Sequence, residues 1–358
     1  MEWNHNVLDE IFSRLSLKCL ARFKCVSKDW ESLIPCPFFL KLNGFIVQPK
    51  QLSNSNENNS SFIQLDNSRG NESTILFNLL PKDILIMETC NGLILCRSNS
   101  PKSIPYVLNP VKRKAMKFTF SSSSALEITT AIASDSYQRC CTTDDFPNFK
   151  LVRVISGYRS QIIKFEVYSS EIRACRVSNA TYDSSSKRIS ITRRGVYIKG
   201  VLYWIMNRQK LLSFHVEEEL TSVISLPCNY PFASYHHVLG ESEGILHYVE
   251  ISRPLYLRPL RLRMWFLDND ETWKVKHCQN IENILEEYEP HSNGWIVRKR
   301  VAILCFKDSI LLLKIHGRVI LYDIKNNKVT CIYSDEDLNI QKPPFFPLLS
   351  VTKVFSFP

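Results

Sequence analysis

Glycine and methionine are scarce in this chain, ten and five residues among 358. So few glycines leave little room for backbone cradles around phosphate, and the sequence has no Gly-rich phosphate loop, no Gly-x-Ser-x-Gly elbow and no His-Glu-x-x-His pair. Long apolar runs are missing too. Stretches such as Val301 to Phe306 fall far short of the roughly 18 residues that a membrane helix needs. Met1 to Asn6 carry an acid and no basic run ahead of an apolar stretch, so they do not read as a secretory signal. These absences lead us to expect a non-catalytic protein with no membrane partner, working in the cytoplasm, the nucleus or both.

Cysteine is plentiful, at twelve residues, but none of the pairs has Cys-x-x-Cys spacing, and Cys140-Cys141 has no histidine nearby to complete a ligand set. Cys90, Cys96, Cys175, Cys305 and Cys331 lie inside apolar runs, where a reduced thiol packs as a small hydrophobe. Neither a metal nor any other cofactor is expected. The net charge of +10 comes from bases scattered along the whole length, a pattern of solvated surface, so nucleic acid is not expected as a partner. Glu217-Glu218-Glu219 falls between two strand-like runs and reads as a solvated turn, and His236-His237 reads as the start of a strand.

With 44% apolar and 22% charged residues, the chain can bury a sizeable core, and its length exceeds one typical domain. Two regions differ in period. Over residues 1–42, Val7, Leu8, Ile11, Phe12 and Leu15 recur at helical spacing and place one apolar stripe on a first helix. Ser16 caps a second helix carrying Leu17, Leu20, Ala21 and Val26, and Ser27 a third carrying Trp30, Leu33 and Ile34 before Pro35. Three helices in so short a segment make a marginal core, and docking on a partner would supply the missing burial.

From residue 43 to 358 the helical period gives way to short apolar runs separated by Asn, Asp, Ser, Gly and Pro, an all-β pattern. A hairpin design recurs in it. Tyr106 to Asn109 precedes Ala115 to Phe118, and Phe165 to Tyr168 precedes Ile172 to Val177. The design returns as Leu212 to His215 before Thr221 to Ile224, Met264 to Asp268 before Thr272 to Val275, and Val319 to Asp323 before Lys328 to Ile332. The spacing of about 53 residues exceeds the roughly 40 to 50 of propeller blades by what longer loops add, and about six blades fit, with seven also compatible. A second recurring element, opened by Asn91-Gly92, Lys199-Gly200, Glu243-Gly244 and Asp308-Ser309, is expected to form the blades' inner strands, begun by a tight turn.

The helical segment resembles the F-box of plant F-box proteins through Glu10-Ile11-Phe12-Ser13-Arg14-Leu15, Arg22 to Trp30 and Ser32-Leu33-Ile34. The β region resembles the kelch-like F-box-associated domain of plants through Cys90 to Leu95, Val107-Leu108-Asn109-Pro110 and Gly200 to Trp204, which stand in the family's order. The resemblance implies the substrate-recognition subunit of a Skp-cullin-F-box (SCF-type) ubiquitin ligase. Val7, Leu8, Ile11, Phe12, Leu15, Leu20, Val26 and Trp30 would bind the Skp-type adaptor, and through it a cullin, while the propeller binds a target of unknown identity. The alternative is an interaction protein, outside ubiquitin transfer, whose altered F-box recruits no adaptor. For the target, the basic stretch with Arg253, Tyr256, Arg258, Arg261 and Arg263 is the best candidate contact with an acidic or phosphorylated segment.

One departure is informative: the family opens its first helix with Leu-Pro, and this chain has Trp3-Asn4. Proline preorganises a helix start. Restoring the pair, Trp3→Leu with Asn4→Pro, should tighten adaptor binding severalfold in a titration. Unchanged or weaker binding would show that Trp3 already fills the site or that the site is idle.

Overall fold

The computed structural model describes residues 26, 44–47, 61–64, 74–75, 84–98, 104–109, 114–120, 126–135, 146–157, 161–184, 189–207, 209–227, 234–252, 260–284, 301–315, 318–334 and 349–351. They form strands almost throughout. The expected three helices over residues 1–42 lie outside the described residues, Val26 excepted, which stands in a turn.

Five groups of four strands follow one another, each an antiparallel meander: β4 (Ile84–Cys90), β5 (Leu93–Ser98), β6 (Pro105–Asn109) and β7 (Lys114–Lys117); β8 (Leu126–Ala133), β9 (Lys150–Ser156), β10 (Ile162–Ser169) and β11 (Ala174–Asp183); β12 (Val196–Ile198), β13 (Val201–Met206), β14 (Lys210–His215) and β15 (Thr221–Ser225); β16 (Ser234–Ser242), β17 (Ile245–Ser252), β18 (Arg261–Leu267) and β19 (Trp273–Asn280); β20 (Val301–Lys307), β21 (Ile310–Ile315), β22 (Arg318–Asp323) and β23 (Lys328–Ser334). A sixth sheet is composite. Its strands β1 (Gly44–Val47), β2 (Ser61–Gln64) and β3 (Thr74–Ile75) come from the start of the region, and β24 (Leu349–Val351) comes from the far end of the chain. Phe45 pairs with Ser350 and Ile46 with Leu349 across that junction.

The first strands of successive meanders are neighbours: β4 touches β8, β8 touches β12, β12 touches β16, and β16 touches β20. The circuit closes because β20 touches β24 and β24 touches β4. Between β16 and β20 the approach is near enough for one parallel ladder pair, Glu241 with Lys307, which joins two meanders into an eight-stranded sheet. Six sheets around one axis is the blade count that the repeat spacing predicts. The recurring hairpins are the outer two strands of each blade. The inner strands expected after Asn91-Gly92, Lys199-Gly200, Glu243-Gly244 and Asp308-Ser309 are the second strands of their blades, and the innermost strand precedes each turn.

Each of these turns places two residues at positive φ, Asn91 at 43° and Gly92 at 83° for example, the signature of the tight hairpin turn whose twist matches its strands. The outer hairpins use a longer turn ending on one residue at positive φ: Arg173, Glu219, Glu271 and Asn327. Four of the innermost strands, β4, β8, β16 and β20, slip register by a bulge against their second strand, which increases local twist.

The core lies between blades rather than within any one. Leu93, Leu95 and Val107 meet Ile132 and Leu151, and Val152, Val154 and Phe165 meet Leu202, Trp204 and Phe214. Ile205 and Leu211 meet Leu246, Tyr248 and Trp265, and Val249 and Met264 meet Leu311, Leu313 and Ile320. Strands covered on both faces explain the continuous apolar runs of the sequence. Fully burying a Leu, Ile, Val or Phe side chain stabilises by about 1.5–3 kcal/mol, so every blade depends on its neighbours.

Gly240 permits a close approach of β16 to β20. A Cβ there would lie 2.2 Å from the Phe306 carbonyl oxygen of β20. Gly240→Ala should therefore cost about 1–3 kcal/mol or more in urea unfolding, as overpacking does. Ser309→Gly, relieving a residue at φ 64°, should stabilise by about 1 kcal/mol. Equal midpoints for the parent and Gly240→Ala would refute the close approach.

Candidate partner-binding surfaces

Because strands alternate in direction, each four-stranded meander has a turn end, where its first strand joins its second and its third joins its fourth, and a crossover end, where the chain passes to the next blade. Polar side chains clasp neighbouring blades around the axis at the turn end. Asn91 Nδ2 donates to the Ser134 carbonyl at 2.5 Å, the Tyr197 hydroxyl to Asp135, and Lys307 Nζ to Glu241. Asp308 N also donates to the Glu241 carbonyl at 3.0 Å. Burial lowers the Lys307 pKa, and the Glu241 carboxylate holds its ammonium in place.

Deeper along the axis, two contacts run across it and a third joins neighbouring blades. Glu88 of β4 is buried, and its Oε2 accepts the Gly195 N–H at 3.1 Å from the segment leading into β12. Arg194 Nη1 donates to the Leu304 carbonyl of β20 at 3.3 Å, and Thr129 Oγ1 of β8 donates to the Arg193 carbonyl at 2.8 Å. Four blades thereby share one polar knot. Burial pushes the Glu88 carboxyl up from 4.5 to about 8, against the pull of the Gly195 and Ile132 N–H groups and of Arg194, so it is protonated at neutral pH. Cys90 and Cys305 flank this knot, and burial raises both thiols to about 12. Thiols so raised are not nucleophiles at neutral pH.

His247 of β17 is a second buried titratable group. Burial, aided by Lys276, lowers its pKa from 6.5 to about 4, against the Ile245 contact and Glu243, so the ring is neutral. Lys276 Nζ lies 3.2 Å from Nε2 and the Ile245 carbonyl 3.0 Å from Nδ1. An ammonium can only donate, which assigns the ring proton to Nδ1.

In the β8–β11 blade, the Arg153 guanidinium joins Glu127 at 3.1 Å to buried Glu166 at 3.0 Å and lies over the Phe120 ring. Arg153 and Glu166 are directly opposite each other in the sheet, on the face toward the β4–β7 blade. The pairing lets an isolated Glu166 carboxylate remain buried.

The residues singled out from the sequence fall as follows. Val7, Leu8, Ile11, Phe12, Leu15, Leu20 and Trp30 lie outside the described residues, and Val26 is exposed. Arg253, Tyr256 and Arg258 also lie outside them. Arg261 and Arg263 share one face of β18, opposite Ser252 and Glu250 of β17. Arg261 is exposed, whereas Arg263 lies 3.9 Å from the buried Glu250 carboxylate and so serves its own blade. Glu217 to Glu219 occupy the β14–β15 turn, with Glu217 paired to Lys150 at 2.6 Å and Glu219 to Arg176. His236 and His237 lie near the start of β16. Among the cysteines expected to pack as hydrophobes, Cys90, Cys96 and Cys305 are buried, Cys175 is half-buried and Cys331 is exposed, the last two being on outer strands.

The F-box associated beta propeller domain family matches residues 41–245, and the F-box domain family matches residues 3–41 immediately before it. Three curated proteins of Arabidopsis thaliana are similar over most of the chain. One F-box protein is 28% identical over 311 residues, 77% of this chain and 70% of its own. Another is 26% identical over 283 residues, 75% of this chain and 76% of its own. An F-box/kelch-repeat protein is 23% identical over 351 residues, 91% of each chain.

The axial carboxyl gives a pH signature. Folded Glu88 keeps its proton up to about pH 8, whereas the unfolded chain releases it near 4.5, so between those values the folded state binds more protons and stability falls as pH rises. Glu88→Gln, which keeps the shape without the acid, should match the parent near pH 4.5 and exceed it increasingly toward pH 8 in urea unfolding. Parallel stability curves for the two proteins would mean that Glu88 is already ionised in the fold.

Proposed function

The chain belongs to the F-box-associated β-propeller family, and from that membership we propose that it is the substrate-recognition subunit of an SCF-type ubiquitin ligase. The observation that carries this reading is the succession of matches: an F-box over residues 3–41 runs directly into the propeller family at residue 41. In this reading the F-box is a three-helix hook whose apolar stripe, with Leu8 and Ile11 at its centre, docks on a Skp-type adaptor bound to a cullin. The six-bladed propeller holds the target. Neither part does chemistry. Joining them raises the effective concentration of the target's lysines near a ubiquitin-charged enzyme, which is how linked binding modules accelerate a reaction they do not catalyse. The ligase works in the cytoplasm or nucleus.

Leu8→Asp with Ile11→Asp places two charges that docking would have to desolvate. The double variant of the full chain should lose co-purified adaptor at least on the order of tenfold, because each buried charge costs more than 1.4 kcal/mol. Its β-sheet circular dichroism should not change. Adaptor capture at the parent level would show that this stripe is not the hook.

A further inference from the structure

We infer that the hook, and the adaptor it carries, sit over the turn end of the propeller beside the composite sheet, held there by a connection too short to reach the crossover end. The inference rests on the substrate-recognition reading above and assigns the face of the propeller that the rest of the ligase occupies.

The direction of β1 decides the face. β3 finishes at the crossover end, because from there the chain passes to β4, just as β7, β11, β15 and β19 lead to β8, β12, β16 and β20. β1, β2 and β3 are successively antiparallel, so β1 runs the same way as β3 and begins at the turn end. Gly44, its first residue, stands there. The register agrees: Gly44 pairs with Val351, the last residue of β24, so β24 runs toward the turn end as the other innermost strands do. Between β16 and β20 that shared direction is explicit, since the two pair in parallel.

The place of β1 within its sheet matters as much. It is the second of four strands, flanked by β24 toward the axis and by β2 and β3 toward the rim. With strands about 4.8 Å apart, Gly44 lies roughly 10 Å inside the rim. The F-box match ends at residue 41, which leaves only Leu42 and Asn43 before β1. Three Cα steps span about 11 Å at full stretch. Reaching the crossover end would take about 20 Å along a six-residue strand such as β13, after a detour around the rim. A folded hook cannot make that journey, so its bulk lies over the turns. β24 touches β4 on one side and β20 on the other, so the turns nearest the hook are Asn91-Gly92 and Asp308-Ser309. Lys325 and Lys328 are exposed at this end of the β20–β23 blade, and Lys114 at this end of the β4–β7 blade, whereas Lys117 and Lys164 are exposed at the crossover end. Exposed amines thus mark both ends.

The test uses the full chain co-expressed with its adaptor and a carbodiimide, which joins an amine to a carboxylate in direct contact. Carboxylates of the hook, Asp9, Glu10, Asp29 and Glu31, or of the adaptor should link to Lys114, Lys325 or Lys328, and none to Lys117 or Lys164. Acylation of the same lysines reads shielding. In the complex, Lys325 and Lys328 should react severalfold more slowly than in a variant with about twelve Gly and Ser residues inserted between Leu42 and Asn43, a tether that adds roughly 19 Å of average reach. That insertion leaves every strand intact and should still capture adaptor. Links to Lys117 or Lys164 would overturn the inference, as would equal acylation rates without links at the turn end. Adaptor capture is measured in the same preparations: its absence would sink the ligase reading, while links from the hook's own carboxylates would still judge where the hook lies.

Discussion

Everything in this fold depends on the pairing of β24 with β1, because blades that bury their faces only against one another are stable only when the ring is complete. An open ring would expose the apolar flank of a blade on each side of the gap, together with the free edge of the innermost strand. Bringing the two ends of the region into one sheet places the first and last strands side by side in a single hydrogen-bonded ladder. The long-range loop closure this requires is costly mainly in folding time, since the entropy cost of closure grows only slowly with length.

Closure has a consequence at the axis, where innermost strands converge and their polar groups must find partners without solvent. The chain meets this in two ways. Near the turns it uses clasps between neighbours, such as Lys307 on Glu241 and Tyr197 on Asp135. Deeper in, it uses Glu88, protonated and accepting the Gly195 N–H, with Arg194 reaching the Leu304 carbonyl. A charge-bearing carboxylate at that depth would need an ion pair of its own; a neutral one needs only hydrogen bonds. The axis is therefore a fastening in which polar groups are satisfied by backbone as much as by each other.

How much of this could be read from the sequence varies with the physics of each element. The outer hairpins were legible because two apolar runs around a polar turn form a local signal, and Val319 to Ile332 fold as that signal suggests. The blade number followed from their spacing. The innermost strands were not legible one by one, because β8, Leu126–Ala133, and β12, only Val196–Ile198, share no motif. Glu88 stands in phase with Ile84, Ile86 and Cys90, on the buried side of β4, so its burial was legible in the strand's alternation. That Arg263 is bound to Glu250 was not legible, since it depends on cross-strand register. The hook's stripe and the segment from Arg253 to Arg258 lie outside the described residues, so their reading rests on pattern and family alone.

A disc of this kind offers a partner its rim and its two ends, and the three are not equally free to specialise. The rim consists of outer strands whose unpaired edges invite further strands. Here charges blunt them, with Lys114 and Lys117 on β7, Arg176 and Asp183 on β11, and Lys274 and Lys276 on β19, which discourages strand addition. The turn end is held by backbone geometry, because each tight turn must supply two residues at positive φ and each outer turn one, and these turns also carry the clasps. Changing them endangers the ring. The crossover end has neither obligation: its connections only have to span from one blade to the next, so their length and charge can be set by the partner. The crossover connections are thus where the fold asks least of the sequence.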